Sequence, residues 1–129
     1  MSTSQPTSTS TSTSRTFDAE ALRRGIEERD AATLVHLYAE DAELHVVDRN
    51  DQPSHPKIVR GRAAIGEYFA DVCGRDMTHR IERLVVGDGT AAFVQACQYP
   101  GGGRVLCLAV LDLQDGLIVR QSGVQAWDE

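Results

Sequence analysis

Up to residue 74 the apolar positions recur mostly at helical spacing; beyond it they recur at every second position. Leu22 and Ile26 lie four apart on one face, with Arg23, Arg24, Glu27 and Glu28 turned to water, and Thr16 and Asp18 stand where an N-cap belongs. A helix is therefore predicted from about residue 18, weakened by Gly25 by roughly 1 kcal/mol against alanine. Asp30 reads as a fresh N-cap, opening a second short helix whose apolar face carries Ala31, Leu34, Val35 and Tyr38. The β-branched run Ala42–Asp48 predicts a strand, and residues 49–57, with Pro53 and Pro56, a polar loop. A third helix follows Gly61, because Ala64, Ile65, Tyr68, Phe69 and Val72 form an i, i+1, i+4, i+5, i+8 stripe.

After Gly74 the pattern predicts four long strands, Met77–Val86, Thr90–Tyr99, Arg104–Leu113 and Leu117–Trp127. They are separated by Gly87-Asp-Gly89, Pro100-Gly-Gly-Gly103 and Asp115-Gly116, three turns whose residues tolerate positive φ. Turns at roughly ten-residue spacing make an antiparallel meander. The order is α-α-β-α-β-β-β-β, an α+β fold in which the sheet curls around the three helices to cover their apolar stripes. Val105–Leu111 is apolar at every position. One face packs on the helices; the other, Leu106, Leu108 and Val110, needs a cover, and with no helix to spare the expected cover is a second copy of the chain. The expectation is a homodimer through the outer sheet face.

Composition narrows the partners. The 129 residues, 41% apolar and 25% charged, suit one globular domain. A formal charge of -6 opposes binding to nucleic acid and to an anionic membrane, both of which call for surplus Lys and Arg. No apolar run is long enough for a transmembrane helix, and the N-terminus has no basic segment or apolar core of a signal peptide. Twelve of the first sixteen residues are Ser or Thr, so 1–16 is expected to be a disordered tail, with phosphorylation or glycosylation as its functional alternative, and 17–129 the folded domain. Three cysteines, Cys73, Cys97 and Cys107, without a Cys-x-x-Cys, point to reduced thiols and a cytoplasmic location. No cation adjoins Cys97 or Cys107 in sequence, so both read as small apolar fillers.

Four segments in this order carry a likeness: Leu37-Tyr-Ala-Glu-Asp-Ala42 leading into the first strand, Gly61-Arg-Ala-Ala-Ile-Gly-Glu-Tyr-Phe69 opening the third helix, His79 early in the next strand, and Asp115-Gly-Leu-Ile118 in the last hairpin. Over roughly residues 17–128 the chain resembles the SnoaL-like group of the nuclear-transport-factor-2-like superfamily, relatives of ketosteroid isomerases and polyketide cyclases. The resemblance implies a cystatin-like, cone-shaped α+β barrel with a pocket at its wide end, often dimeric, in a superfamily that holds enzymes, binding modules and scaffolds.

A steroid isomerase of this fold uses a carboxylate base near the end of the first strand, and a helix Tyr and a protonated acid as oxyanion donors. Carried over by resemblance, these fall on Val46, Leu22 and near Ala109. Asp112, three residues on, lies between Leu111 and Leu113 and by alternation faces away. The family's cyclases use an acid in the last strands, where Leu117–Trp127 has none. An epoxide hydrolase would need a convergent Asp-Arg-Asp set, whereas Asp48, Arg49 and Asp51 crowd one loop. The resemblance turns Phe93, Gln95, Cys97, Tyr99, Cys107, Gln121, Gly123 and Gln125 into the pocket. Buried amides cost about 1–3 kcal/mol each unless hydrogen-bonded, and a neutral polar ligand, water, or one another would satisfy them.

Candidate bases are His45, His79 and Asp48, since only histidine titrates unperturbed near neutrality. His45 is one residue from the family's base position and so turned to the other face unless a bulge intervenes. His36 sits on the polar side of the second helix and His55 in a loop; no histidine spacing suggests a metal, and no cofactor is expected. Tyr38 and Tyr68 read as core residues with hydroxyls at the pocket rim, and Trp127 as a pocket floor or a dimer seam. Three functions remain open: a protein binding a small, largely apolar organic molecule, in secondary metabolism; an isomerase, cyclase or dehydratase working by proton transfer; or a dimerisation module with a filled cone. With a cavity below about 300 Å³ the module reading wins.

Overall fold

The computed structural model describes residues 16–128. The expected Ser/Thr tail lies, apart from Thr16, outside the described residues. The elements are α1 (Ala19–Glu27), α2 (Ala31–Val35), β1 (Tyr38–Val47), β2 (Lys57–Arg60), α3 (Arg62–Cys73), β3 (Thr78–Val86), β4 (Thr90–Gln98), β5 (Arg104–Gln114) and β6 (Leu117–Trp127). Both N-caps act as their chemistry requires: Asp18 accepts from the Ala21 amide at 3.0 Å, and Asp30 from the Thr33 amide at 3.2 Å and the Thr33 hydroxyl at 2.8 Å.

The six strands form one curved, unclosed sheet in the order β2-β1-β6-β5-β4-β3. From β3 to β6 it is the expected meander; β1 then lies parallel to β6, and β2 antiparallel to β1. Asp115 and Gly116 both take positive φ, 54° and 79°, as a two-residue hairpin requires. The helices pack into the concave face over a core that includes Leu22, Leu34, Leu44, Ile65, Leu111 and Ile118. The architecture is the α+β cone.

Two expectations need correction. Tyr38 is not on α2, which stops at Val35, but is the first residue of β1. The Ile118 amide donates to the Leu37 carbonyl at 2.8 Å, and Tyr38 registers with Ile118, so sheet pairing claims the chain that one weak helical turn would have held. The segment after the polar loop also contains an unforeseen strand. β2 pairs Val46 with Lys57 through Glu43 with Arg60 at the edge of the sheet, where charged, exposed side chains protect an unpaired rim and leave little apolar alternation to read.

β5 divides its two faces as the sequence suggested. Ala109 and Leu111 are buried inward; Leu106, Leu108 and Val110 are 42%, 50% and 52% exposed on the outer face. No described helix is long and apolar enough to cross a membrane.

Candidate functional site

A cavity of about 190 Å³ lies between the helices and the concave sheet. Apolar walls come from every layer. Leu22 and Ile26 of α1 and Phe69 and Val72 of α3 join Val46, Ala109 and Phe93 of the sheet in its lining. Tyr68, Phe69 and Val72 are only half-buried although they form the apolar stripe of α3, because that stripe faces a hollow as well as a core. Leu22, Val46 and Ala109, on which the catalytic groups of a steroid isomerase would fall, are all in the lining.

The polar groups of the cavity occur as pairs and one cluster. Tyr38, wholly buried at the start of β1, donates its hydroxyl to Gln121 Oε1 on the neighbouring β6 at 2.5 Å. Burial pushes the Tyr38 phenol far above its ordinary value, so it acts as a neutral donor. Tyr68 is pushed up to about 12, chiefly by burial and secondarily by the nearby Cys107. Gln125 accepts from Trp127 Nε1 at 3.2 Å. Trp127 stacks on Tyr99, with centroids 6.1 Å apart, and carries the Arg49 guanidinium 4.2 Å above its ring, which makes it a rim residue. Gln121, Gln125 and Gln95 thus each have a protein partner, and none is left as an orphaned buried amide. Gly123 stands in the lining with space beside it: a Cβ there would meet nothing nearer than the Leu108 carbonyl at 3.6 Å.

The candidate bases separate. His45 is on the outer side of β1, where its Nε2 lies 3.0 Å from Glu43 Oε1, and it does not line the cavity. Its one-residue offset from Val46 is not rescued: the irregularity in β1 lies earlier, between Tyr38 and Glu43. The Glu43 carboxyl is held below its usual range first by His45 and then by Arg60. Asp48 does reach the cavity edge, where its Oδ1 accepts from the amides of both Asn50 and Asp51 at 2.8 and 2.9 Å. His79 is buried in the cavity wall.

Around His79 the reading of Cys97 and Cys107 as inert fillers is corrected. The β3–β4 register sets His79 opposite Cys97, with Nδ1 3.2 Å from Sγ, and Gln95 Nε2 reaches both, at 2.9 and 3.2 Å. Cys107 joins from β5, where it registers with Gln95. A hydrogen bond from Cys107, helped by His79 and opposed by burial, draws the Cys97 thiol well below its ordinary value; the same contact and burial drive Cys107 up. A partial signal for this cluster existed. The turn at Gly87-Asp-Gly89 limits the partner of His79 to Cys97 or Gln98; the register beside the turn, Val86 with Ala91, points to Gln98, and the irregularity between Ile81 and Arg83 brings Cys97 opposite instead. Among the described residues no group of three or more His, Cys, Asp or Glu is arranged to hold a metal ion.

Comparison with known proteins bears on the fold. No curated protein matches the chain significantly in sequence. Among solved structures, a nuclear-transport-factor-2-like protein of unknown function from Mesorhizobium loti is similar with a TM-score of 0.73 at 21% identity, covering 95% of this chain and 97% of that one. A candidate ketosteroid isomerase from Kribbella flavida gives 0.70 at 21% identity, over 86% and 75%. The epoxide hydrolase/cyclase-like enzyme of pyran ring formation in the polyether salinomycin gives 0.63 at 24%, over 84% and 86%. At these identities the likeness is one of fold. The family profile described as SnoaL-like domain, however, matches residues 19–121 in sequence, most of the chain, and so the protein belongs to the SnoaL-like domain family.

Proposed function

We propose that the protein binds a small, uncharged, largely apolar organic molecule in the cone cavity, and that it serves secondary metabolism, as the salinomycin relative does. The observation that carries this reading is the lining itself. Leu22, Val46 and Ala109 make the wall apolar where a steroid isomerase would place acids and a phenol, while the amide nitrogen of Gln121, whose Oε1 accepts from Tyr38, offers a neutral polar contact beside them, apart from the lining's charged Asp48, Lys57 and Arg75. Such a surface favours a neutral ligand with one or two hydrogen-bonding atoms. Volume sets its size. At about 190 Å³ the cavity falls below the roughly 300–1,000 Å³ of drug-sized pockets and near the ~150 Å³ that accommodates benzene, so the ligand is of single-ring size.

The volume lies below the roughly 300 Å³ set as the mark of a dimerisation module that needs no ligand; that reading stands second here because a cavity of this size still admits a single ring. The outer strip of Leu106, Leu108, Val110 and Val124 supports a homodimer under either reading. A proton-transfer enzyme stays third, with His79 and Asp48 as the bases that reach the cavity. The three free thiols suit a reducing compartment, and we place the protein in the cytoplasm.

A thermal-shift panel of neutral monocyclic ketones, phenols and lactones tests the first reading. A ligand at 100 times its Kd should add roughly 2.7 kcal/mol, on the order of 10 °C in Tm. Gln121→Leu should abolish the shift for ligands with a carbonyl or hydroxyl. A panel with no shift, from a protein that sediments as a dimer, favours the module.

A further inference from the structure

We propose that Cys97, with His79 as its proton acceptor, is a nucleophilic thiol that adds to small neutral activated alkenes, α,β-unsaturated carbonyl compounds, admitted to the cavity. The inference rests on the reading that the cavity takes a small neutral molecule and names the chemical class.

The geometry is a thiol–imidazole pair with a supporting shell. Cys97 Sγ lies 3.2 Å from His79 Nδ1 and 3.2 Å from the Gln95 amide nitrogen, and Cys107, opposite Gln95 on the adjacent strand, stands beside the pair. When the thiol gives its proton to Nδ1, the sulfur that remains faces three donors: the imidazolium, the Gln95 amide and the Cys107 thiol. That arrangement favours the thiolate, and the direction of the Cys97 shift agrees with it. His79 is only 8% exposed, and its Nε2 has no hydrogen-bond partner among the described residues. A buried donor without a partner costs free energy, and a ligand carbonyl oxygen would supply that partner. Thiolate and Nε2–H together therefore suit an electrophile with a carbonyl conjugated to its reacting carbon.

The charged groups nearby stand at the edges. Asp48, Lys57 and Arg75 belong to the cavity lining, Arg75 in the turn that leads into β3. Glu27, Arg80, Glu82 and Arg104 border an outer depression that also touches His79 and Cys97. Both sets mix signs, which leaves His79 and Cys107 as the groups that govern Cys97.

The step balances without an oxidant. The Cys97 proton passes to His79 Nδ1. The sulfur lone pair forms an S–C bond at the β-carbon, and the alkene pair moves onto the α-carbon and carbonyl oxygen as an enolate, which Nε2–H stabilises. The α-carbon then takes the proton from Nδ1. The net change is addition of S–H across C=C, and its reversal after rotation about the former double bond would isomerise a substrate.

Cyclohex-2-enone, with cyclohexanone as its unreactive counterpart, tests this on the full chain after reduction and removal of the reductant. Peptide mass mapping at pH 6.5 should find Cys97 modified at least about tenfold faster than Cys73, whose thiol burial pushes up, and than Cys107. An ordinary thiol is only about 1% ionised at that pH. His79→Gln should slow Cys97 about tenfold at pH 6.5, with the deficit narrowing towards pH 9, where hydroxide ionises the thiol unaided; Cys107→Ser, which keeps a donor, should slow it less. Cys97 no faster than Cys73, or a His79→Gln rate equal to wild type at pH 6.5, overturns the proposal. If cyclohexanone still raises Tm, the ligand reading survives that failure. If cyclohexanone neither raises Tm nor protects Cys97, both fall.

Discussion

At the scale of single residues, the Tyr38–Gln121 pair is the clearest case of buried polarity held by one contact. Gln121→Leu strands a phenol hydroxyl inside the cone and should cost about 1–3 kcal/mol. Tyr38→Phe with Gln121→Leu removes both ends and should lie closer to wild type than the sum of the single losses, because no donor is then left unmatched. Urea midpoints of the four proteins check this; additive losses would mean that the pair is not coupled. The pair was half legible in the sequence. The resemblance turns Gln121 into the pocket, whereas Tyr38 reads as helical, since its four-residue spacing from Leu34 marks one helical face whichever element it belongs to. The Cys97–His79 contact is illegible for a different reason: residues 18 apart are joined by hairpin register, not by local spacing.

At the scale of elements, two junctions hold the walls in position. Gly61 enters α3 with φ of 89° and ψ of 149°, a region that side chains avoid. A Cβ there has room, its nearest neighbour being the Glu40 carbonyl at 3.8 Å, so the cost of Gly61→Ala is conformational, about 1–3 kcal/mol, and its urea midpoint should fall accordingly. Asp30 caps α2. Its carboxyl is held below the ordinary 3.8, first by the Thr33 hydroxyl and then by the Thr33 amide. A lowered folded value means stability that is present above the unfolded pKa and lost as pH falls through the folded one, so the loss sets in below about pH 3.8. Asp30→Ser keeps a cap that does not titrate, and its stability should fall less than wild type between pH 5 and pH 3. Helices and meander were readable because period and turn chemistry agree over long stretches. β2 was not, since an edge strand of Lys57, Ile58, Val59 and Arg60 is too short and too charged to alternate.

At the scale of the whole molecule, alternation in β5 revealed two apolar faces but not the hollow behind one of them. A side-chain pattern says which way a residue points, not how far away the opposite wall stands. The order of the sheet was equally hidden, because β1 pairs with β6 across almost the full length of the chain. The outer strip predicts self-association: Leu108→Asp with Val110→Lys should turn a dimer into a monomer at micromolar concentration in sedimentation equilibrium, with far-UV circular dichroism unchanged. A wild-type monomer removes the homodimer. The hollow is tested most directly by titrating the 15N-labelled protein with cyclohexanone beside Gly123→Val, whose added side chain would occupy the space next to Ala109. Saturable shifts at the amides of Phe93, Gln95, Gln121 and Gly123, lost in the valine variant, are expected of an open, ligand-accepting cone. No saturable shift at those amides, or the same shifts in Gly123→Val, would contradict it.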